Sequence, residues 1–243
     1  MADPVFYDLC VHCAPDGKST QEEMVAMAKH LGFGGIALTN HSNSDSLPKG
    51  SSDKGFDILR GVELVSSNPS KLHGLVGKYR KKVEILAVHG GDDGINRAAV
   101  ENPNVDILLH PGTPKGCGLN HVLAKSASDN NVAIAFDMAS LIMLRGGRRV
   151  HTLSHFREIL SLARKYDVPF LLTNNASLSY GMRAPREMMA LATLFGMERD
   201  EALMALSDTP AEIIRRVRRG NNFICEGVEI LEDDLSYMEG EDK

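Results

Sequence analysis

The sequence has no tryptophan, only four cysteines and no long apolar run. A membrane-spanning helix needs roughly 20 consecutive apolar residues, so none is expected. The four cysteines are unevenly spaced, which does not fit the disulfide framework of a small secreted protein. The first residues have neither the basic stretch nor the apolar core of a secretory signal. We therefore expect a cytoplasmic protein that makes no contact with a membrane.

Charge is distributed unevenly along the chain. The net charge is −5, but residues 226–243 hold eight acidic residues and one basic residue. The net −7 of this segment leaves +2 for the first 225 residues. An acidic chain of this kind is not an indiscriminate nucleic-acid binder. We expect residues 1–231 to form a single domain and residues 232–243 to form an acidic, flexible tail.

Short apolar runs alternate with helical patterns. Residues 105–109 and 132–136 have the composition of buried strands, and residues 119–128 between them are helix-like. Parallel strands need such a crossover. Seven alternations with few hairpin signals predict an α/β fold, a TIM-barrel-like (β/α) barrel of about seven strands with extra C-terminal helices. A TIM barrel usually has about eight strands, so a barrel of seven would be incomplete. A doubly wound open sheet is the alternative fold.

The predicted strands cover residues 6–12, 35–39, 58–65, 83–88, 105–109, 132–136 and 170–173, with a possible terminal strand at 223–231. Residues 42–55 are predicted to be a polar loop, and residues 150–166 the longest amphipathic helix. Alternation along the first strand places Asp8, Cys10 and His12 on one face.

Four residues with metal-binding side chains fall at or near the C-terminal ends of predicted strands: His12, His41, Glu63 and His110. Ligands and chemistry gather at this end of parallel α/β folds. Imidazole and carboxylate groups together suit zinc, manganese or iron. Any one of the four alone is more often a structural residue.

These residues lie in motifs that resemble those of the polymerase-and-histidinol-phosphatase superfamily of barrel phosphoesterases. The motifs are D-L-C-V-H (8–12), T-N-H (39–41), G-V-E (61–63) and H-P (110–111). Cys10 replaces a histidine of the superfamily pattern, Asn40 replaces an aspartate, and N-N-A-S (174–177) replaces a late S-D-x-H. A phosphoesterase of this type needs a charge-compensated metal cluster. The resemblance therefore implies a barrel with degraded chemistry, in which no metal is expected and the four candidates are vestigial.

A longer set of motifs resembles the p30 protein subunit family of ribonuclease P. Its members here are F-Y-D-L-C-V-H (6–12), G-I-A-L-T-N-H (35–41), N-R-A-A-V-E (96–101), V-D-I-L-L-H-P (105–111), L-N-H-V-L-A-K-S-A (119–127), V-A-I-A-F-D-M (132–138), A-S-L-S-Y-G-M-R-A-P-R-E (176–187), L-A-T-L-F-G-M (191–197) and S-D-T-P-A-E-I-I (207–214). The resemblance implies a subunit of an RNA-based endonuclease that removes 5′ leaders from precursor tRNA.

The same resemblance implies how such a subunit works. The ribonuclease P RNA supplies the catalytic centre with magnesium, and the isolated chain is inactive, with no catalytic residue and no cofactor of its own. Paired with a Pop5-like protein and alongside the other protein subunits, the chain stabilises and positions the RNA.

Basic residues in three loops are the candidates for RNA contact. They are Lys115 in G-T-P-K-G, Arg145, Arg148 and Arg149 in L-R-G-G-R-R, and Arg183 and Arg186 beside Pro185. Guanidinium groups and backbone amides in such loops hold phosphates. Two further basic runs, at 78–82 and 215–219, rank lower because exposed charge runs are commonly only solvated. Few aromatic residues accompany these groups, so base stacking is not indicated.

Two other functions remain open from the residues alone. The first is a stand-alone metal phosphoesterase that uses His12, His41, Glu63 and His110. The second is a structural barrel that binds protein but no RNA. Arg97 is expected to pair with an acid such as Asp106 rather than to bind RNA.

Overall fold

The observed strands and helices follow the predicted alternation. The computed structural model describes residues 3–44, 47–53, 55–113, 116–219, 223–225 and 228–229. The strands are β1 (Tyr7–Val11), β2 (Gly35–Leu38), β3 (Ser51–Asp53), β4 (Phe56–Leu64), β5 (Ile85–His89), β6 (Ile107–Leu109), β7 (Ala133–Asp137), β8 (Phe170–Thr173), β9 (Phe223–Cys225) and β10 (Val228–Glu229). The helices are α1 (Gln21–His30), α2 (Pro69–Tyr79), α3 (Asp93–Val100), α4 (His121–Asp129), α5 (Met138–Met143), α6 (Gly146–Tyr166), α7 (Pro185–Ala192), α8 (Arg199–Leu206) and α9 (Asp208–Arg219). None of the helices in these ranges has the length and apolar character that a membrane crossing requires.

Polar residues at the helix starts explain where the helices begin. The Thr20 hydroxyl accepts a hydrogen bond from the Glu23 amide, and the Glu23 carboxylate accepts one from the Thr20 amide. The side chains of Asn68, Asp92 and Asn120 accept backbone hydrogen bonds at the starts of α2, α3 and α4. Such caps satisfy amide groups that a first helical turn leaves without partners. They let the chain turn from strand to helix within a few residues.

Seven parallel strands form a nearly closed barrel, as predicted. They pair in the order β1-β2-β4-β5-β6-β7-β8, and β3 pairs antiparallel with β4 outside this ring. Side chains close the seam between β8 and β1: the Thr173 hydroxyl donates to the Asp8 carboxylate at 2.6 Å, and the Asn174 amide donates to the same group at 2.9 Å. Beyond the seam, the His12 amide donates to the Ala176 carbonyl at 3.0 Å.

The predicted alternation along β1 is wrong, because the strand contains a bulge. Asp8 pairs with Ile36 but Val11 pairs with Leu38, so β1 has one more residue than β2 between these pairs. A bulge of this kind bends the strand and changes which way side chains face. As a result Leu9 and Cys10 both lie in the apolar cluster inside the barrel, while Val11 lies in the cluster between strands and helices.

Three other segments differ from the predictions. Part of the loop predicted at 42–55 is strand β3, which Gly55, at φ +86°, turns back against β4. Helix α5 was not predicted; Asp137 caps it by accepting a hydrogen bond from the Ala139 amide. Helix α6 begins at Gly146, so Arg148 and Arg149 are helical rather than in a loop.

Within the predicted terminal strand, β9 and β10 instead pair antiparallel with each other. The predicted tail at 232–243 lies outside the described residues, and a single domain over 1–231 stays a prediction.

Helix α9 closes the N-terminal end of the barrel. Ile213 and Ile214 from this helix belong to the same buried cluster as interior residues of the strands, such as Leu59 and Ile107. The helix is fixed by ion pairs at its polar edge: Arg216 contacts Asp106 at 3.1 Å, and Arg218 contacts Asp57 at 2.9 Å. Because α9 fills the end of the interior that the strands leave open, it is part of the core.

Arg97 pairs with an acid as expected, but the acid is Glu101 rather than Asp106. Arg97 contacts Glu101, one helical turn away, at 3.1 Å. The buried carboxylate of Asp106 is held instead by Arg80 at 2.6 Å and by Arg216. Two arginines from distant parts of the chain therefore meet at the start of β6.

Truncating Ile213, which α9 places inside the end of the barrel, should destabilise the fold. Ile213→Ala removes a side chain that is 4% exposed and should lower the free energy of unfolding by roughly 2–5 kcal/mol, since the barrel interior cannot collapse onto the cavity. Urea denaturation measures this change. The control Leu194→Ala, at a position 53% exposed, should change it by less than about 0.5 kcal/mol. Equal effects of the two substitutions would contradict the role of α9 in closing the end of the barrel.

Candidate functional site

The C-terminal ends of five neighbouring strands bring a group of histidines around one carboxylate. Four of the predicted residues, His12, His41, Glu63 and His110, lie at or near the ends of β1, β2, β4 and β6, and all four reach this end of the barrel, although His110 belongs to neither group of possible metal ligands. His89, the last residue of β5, completes the group. We refer to these five residues and the surface around them as the barrel mouth.

Glu63 is the centre of the mouth. Its side chain is fully buried, and its carboxylate lies 2.5 Å from His89 Nδ1, 3.3 Å from His12 Nε2 and 3.8 Å from His41 Nε2. One of its oxygens, Oε2, has no hydrogen-bond partner among the described residues. The His12 imidazole, whose Nε2 lies 3.3 Å from Oε2, compensates the charge of this oxygen without a hydrogen bond.

The imidazole rings form a continuous row. Ring centroids are 4.8 Å apart for His12 and His41, 5.7 Å for His41 and His89, and 4.9 Å for His89 and His110. Asp16, in the turn after β1, adds a second carboxylate: it accepts a hydrogen bond from the His41 amide at 2.9 Å and contacts His41 Nδ1 at 2.7 Å. It also lies 3.1 Å from His12 Nδ1.

The carboxylates and imidazoles shift each other's proton affinities. Burial alone would raise the pKa of Glu63, but the adjacent imidazoles of His12 and His89 hold it far below its ordinary value. Burial alone would lower the pKa of His12, but Glu63 and Asn175 raise it. The hydrogen bond to Glu63 raises the pKa of His89 against the opposing effect of burial. Near neutral pH, Glu63 is therefore ionised and favours protonated imidazoles beside it.

His110 differs from the other histidines. Burial lowers its pKa, although Asp137, 3.6 Å from Nδ1, acts in the opposite direction. Its Nε2 accepts a hydrogen bond from the Asn175 side-chain amide at 3.0 Å, which fits a neutral ring. His110 and Asn175 both have left-handed backbone conformations, at φ +49° and +46°. Non-glycine residues adopt this region only where the surrounding structure holds them, and such residues cluster at functional sites.

The three departures from the phosphoesterase motifs put neutral groups at the mouth. Burial raises the pKa of the Cys10 thiol well above its ordinary value, so it stays protonated inside the barrel. The Asn40 amide is used structurally, in two hydrogen bonds with the Cys13 backbone, both of 2.9 Å. Asn175 bridges the two ends of the histidine row through His12 and His110.

The donor groups at the mouth fit a single transition-metal ion better than the motifs alone indicated. Two sets, His12 with Asp16 and His41, and His41 with Glu63 and His89, each have ligand atoms within 4.8 Å of one another. Imidazole and carboxylate donors suit zinc, manganese or iron, and Glu63 Oε2, which lies 3.3 Å from His12 Nε2 without a hydrogen bond, is among them.

The sequence prediction missed His89 and Asp16. His89 stands at a strand end as the other candidates do and could have been found; Asp16 lies in a turn with no strand-end signal.

The predicted RNA-binding arginines lie at the same end of the barrel, after β7 and β8. Arg145 donates to the Ile142 and Leu144 carbonyls, and Arg183 donates to the Met182 carbonyl at 2.8 Å. Carbonyl partners leave the positive charge of a guanidinium uncompensated. Arg149 bonds carbonyls in the same way, while Arg148 and Arg186 are exposed and Lys115 lies outside the described residues.

Comparisons with known proteins place this barrel in a family. A family model described as RNase P subunit p30 matches residues 5–222. The chain is 68% identical over 238 residues to ribonuclease P protein component 3 of Methanococcoides burtonii, covering 98% of this chain and 99% of the relative. It is 52% identical to the component 3 protein of Methanosarcina barkeri, covering 96% and 98% of the two chains.

Solved structures share the fold. One chain of a cryo-EM structure of archaeal ribonuclease P with mature tRNA matches with a TM-score of 0.73 and 29% identity, over 94% of this chain and 99% of that one. The histidinol phosphate phosphatase of Lactococcus lactis matches with a TM-score of 0.54 and 10% identity, over 79% and 94% of the chains, which shows a common barrel fold alone.

Removing the central carboxylate should change the titration of its neighbours. In chelator-treated protein, Glu63→Gln should lower the pKa of His12 and His89, because the charge that favours their protonated forms is gone. Histidine chemical shifts followed by NMR against pH measure this effect. The exposed His151 serves as an internal control. Unaltered titration of His12 and His89 would contradict the arrangement described.

The same variant should lose stability in a pH-dependent manner. A depressed carboxyl pKa stabilises the fold above its ordinary value of 4.5, and a raised histidine pKa stabilises it fully only below its ordinary value of 6.5. The difference in unfolding free energy between wild type and Glu63→Gln should therefore be larger at about pH 6 than at about pH 8.5. Urea denaturation at the two pH values measures it, and a constant difference would contradict the coupling.

Proposed function

The chain belongs to the RNase P subunit p30 family, and we propose that it is a non-catalytic protein component of ribonuclease P, the RNA-based endonuclease that removes 5′ leaders from precursor tRNA. One observation carries this proposal: the component 3 relative of Methanococcoides burtonii matches over nearly the full length of both chains. In this role the ribonuclease P RNA supplies the catalytic centre with magnesium. The chain, together with a Pop5-like subunit and other protein subunits, stabilises and positions that RNA.

The chemistry of the barrel mouth supports a role without catalysis. Cys10, Asn40 and Asn175 are neutral where a metal hydrolase of this barrel type needs further ligands. Asn175 also links His12 to His110, so its amide occupies hydrogen-bonding positions on both rings. A multi-metal cluster needs enough anionic ligands to offset its charge, and the mouth has few.

The candidate RNA contacts of this proposal are Lys115, Arg145, Arg148, Arg149, Arg183 and Arg186. Their support is that Arg145, Arg149 and Arg183 bond backbone carbonyls and keep their positive charge, and that Arg148 and Arg186 are exposed. Guanidinium groups held in this way bind phosphates through parallel N–H donors. Contacts of this type position an RNA without reading its sequence.

Reconstitution tests the assignment. A ribonuclease P assembled from its RNA and all protein subunits should cleave precursor tRNA at low magnesium, and leaving out this chain should reduce the rate of leader removal. The reason is that phosphate charge in the folded RNA then lacks part of its compensation. As a control, adding the omitted chain back should restore the rate of leader removal. Unchanged cleavage without the chain would rule out the proposal.

A second candidate function, a metal-dependent phosphoesterase, is favoured by one observation. The donor atoms of His41, Glu63 and His89 lie within 4.8 Å of one another, and Glu63 Oε2 is without a hydrogen-bond partner in the described part of the chain. These three residues would hold the ion. A bound transition metal would act as a Lewis acid toward a phosphate oxygen.

Phosphatase assays distinguish the two candidates. As a ribonuclease P component, the isolated chain should not hydrolyse p-nitrophenyl phosphate when zinc or manganese is added, because the ligand set is incomplete. Product release followed by absorbance measures this, with a histidinol phosphatase as positive control. Metal-dependent turnover that is abolished in His41→Ala would overturn the expectation and support the phosphoesterase.

A further inference from the structure

The N-terminal end of the barrel, opposite the mouth, has two adjoining grooves. One, of about 700 Å³, lies between β3, the start of β5 and the end of α9. The other, of about 650 Å³, lies between the end of α2, the start of β6 and α9. Both are lined by Lys81, Val83 and Glu84, so they meet along the segment that leads into β5. We call this combined surface the barrel floor.

The floor is strongly basic, although the whole chain is acidic. Its grooves are lined by seven basic residues and two acidic ones. The basic residues are Lys49, Arg60, Arg80, Lys81, Lys82, Arg216 and Arg218. The net charge of the full sequence is −5, so positive charge is concentrated at this end. The basic runs at 78–82 and 215–219, which the sequence made weaker candidates for RNA contact, lie together here with Lys49 and Arg60.

The acids of the floor are already occupied. Asp106, which is 3% exposed, is shared by Arg80 and Arg216, two positive charges on one carboxylate. Glu84 contacts Arg218 at 3.6 Å, and its carboxylate also accepts a hydrogen bond from the Arg60 amide at 3.1 Å. The arginines therefore build the walls of the grooves and still leave a surplus of positive charge.

Three lysines at the floor are available to a ligand. Lys49, Lys81 and Lys82 are exposed, and none of the carboxylates whose side chains the structure describes pairs with them. Lys81 and Lys82 lie in a short helical turn, Arg80–Lys82, just before β5, and Lys49 lies beside β3. Their positions are fixed by the backbone around them, for example by the hydrogen bonds between Gln21 and the Lys49 backbone at 2.9 and 3.3 Å.

The floor suits a polyanion better than the mouth does. At the mouth, Glu63, Asp16 and Asp137 each pair with a histidine, so little positive charge is left there for a phosphate. A phosphate backbone binds where several cations lie in a row without base-specific donors, and its affinity comes from counterion release. An acidic protein segment would need an apolar anchor at the centre of its site, whereas the grooves are lined mainly by charged residues.

We propose that the barrel floor is a phosphate-backbone binding surface for folded RNA, with Lys49, Lys81 and Lys82 as the contacting groups. Arg80, Arg216 and Arg218 are positioning residues that hold α9 and the groove walls. The proposal rests on the proposed function for the identity of the RNA. It adds a second RNA-binding surface, at the opposite end of the barrel from Arg145, Arg148 and Arg149. An RNA that reached both ends would have to pass along the side of the barrel.

Binding of the cognate ribonuclease P RNA to the full-length chain, measured by fluorescence anisotropy over a range of salt concentrations, tests this surface. The variant K49A/K81A/K82A should weaken binding and reduce the slope of log K against log salt by roughly 0.7–0.9 for each phosphate that is no longer neutralised. The variant K49R/K81R/K82R should keep the wild-type slope. Because the three lysines are exposed and pair with none of the carboxylates whose side chains the structure describes, thermal unfolding of these two variants should match wild type.

A matched control removes the same charge elsewhere. K71A/K125A/K165A alters three exposed lysines on the outer helices α2, α4 and α6 and should change the slope much less. If K71A/K125A/K165A reduced the salt slope as much as the floor variant does, the proposal would be overturned, because the slope would then depend on net charge alone. A reduction confined to R145A/R148A/R149A would overturn it in favour of the mouth.

The same binding series separates failure of the floor from failure of the proposed function. Lack of wild-type binding at any salt concentration would remove the proposed function and the floor together. Normal binding by both wild type and K49A/K81A/K82A would remove the floor alone. Weaker binding of this variant to an acidic protein subunit, with RNA binding intact, would also overturn the proposal.

Discussion

A ring of seven parallel strands must join the free edges of its first and last strands, and this constraint determines much of the molecule. The solution is one buried carboxylate: Asp8 accepts hydrogen bonds from the Thr173 hydroxyl and the Asn174 and Cys10 amides. Burial raises the pKa of Asp8, while these bonds favour its charged form. The seam also carries Asn175 to the mouth, where it bonds His12 and His110. Closure of the fold and composition of the site are therefore decided by the same few residues.

The two ends of the barrel have opposite electrostatic character. At the mouth, carboxylates are buried among imidazoles, and the charges compensate each other within a few ångströms. At the floor, arginines saturate the available acids and lysines remain exposed. A parallel barrel normally concentrates its chemistry at the mouth. Here the mouth resembles an internal structural cluster. The floor, at the end of the barrel that usually only stabilises the fold, offers more positive charge to a ligand.

The sequence predicted the alternation of strands and helices because apolar runs and helix caps are local features. It could not predict β3, whose three polar residues become a strand only by pairing with β4, or the bulge that turns Leu9 and Cys10 inward. That the four mouth candidates lie at one end of the barrel could be predicted, because the ends of parallel strands meet at one edge of the sheet. The floor was not predicted, because its basic residues come from three parts of the chain, and only the pairing of β4 with β5 and the path of α9 bring them together.

The position of α9 after all seven strands of the ring has a consequence for synthesis. A nascent chain that lacks this helix has an unsealed apolar interior, because Ile213 and Ile214 have not yet arrived. It also lacks Arg216 and Arg218, so the walls of the grooves are missing. Translation must therefore pass the end of α9 before the protein can both hide its interior and present a full cationic surface. Binding of RNA at the floor would in this way be limited to copies whose interior is already closed.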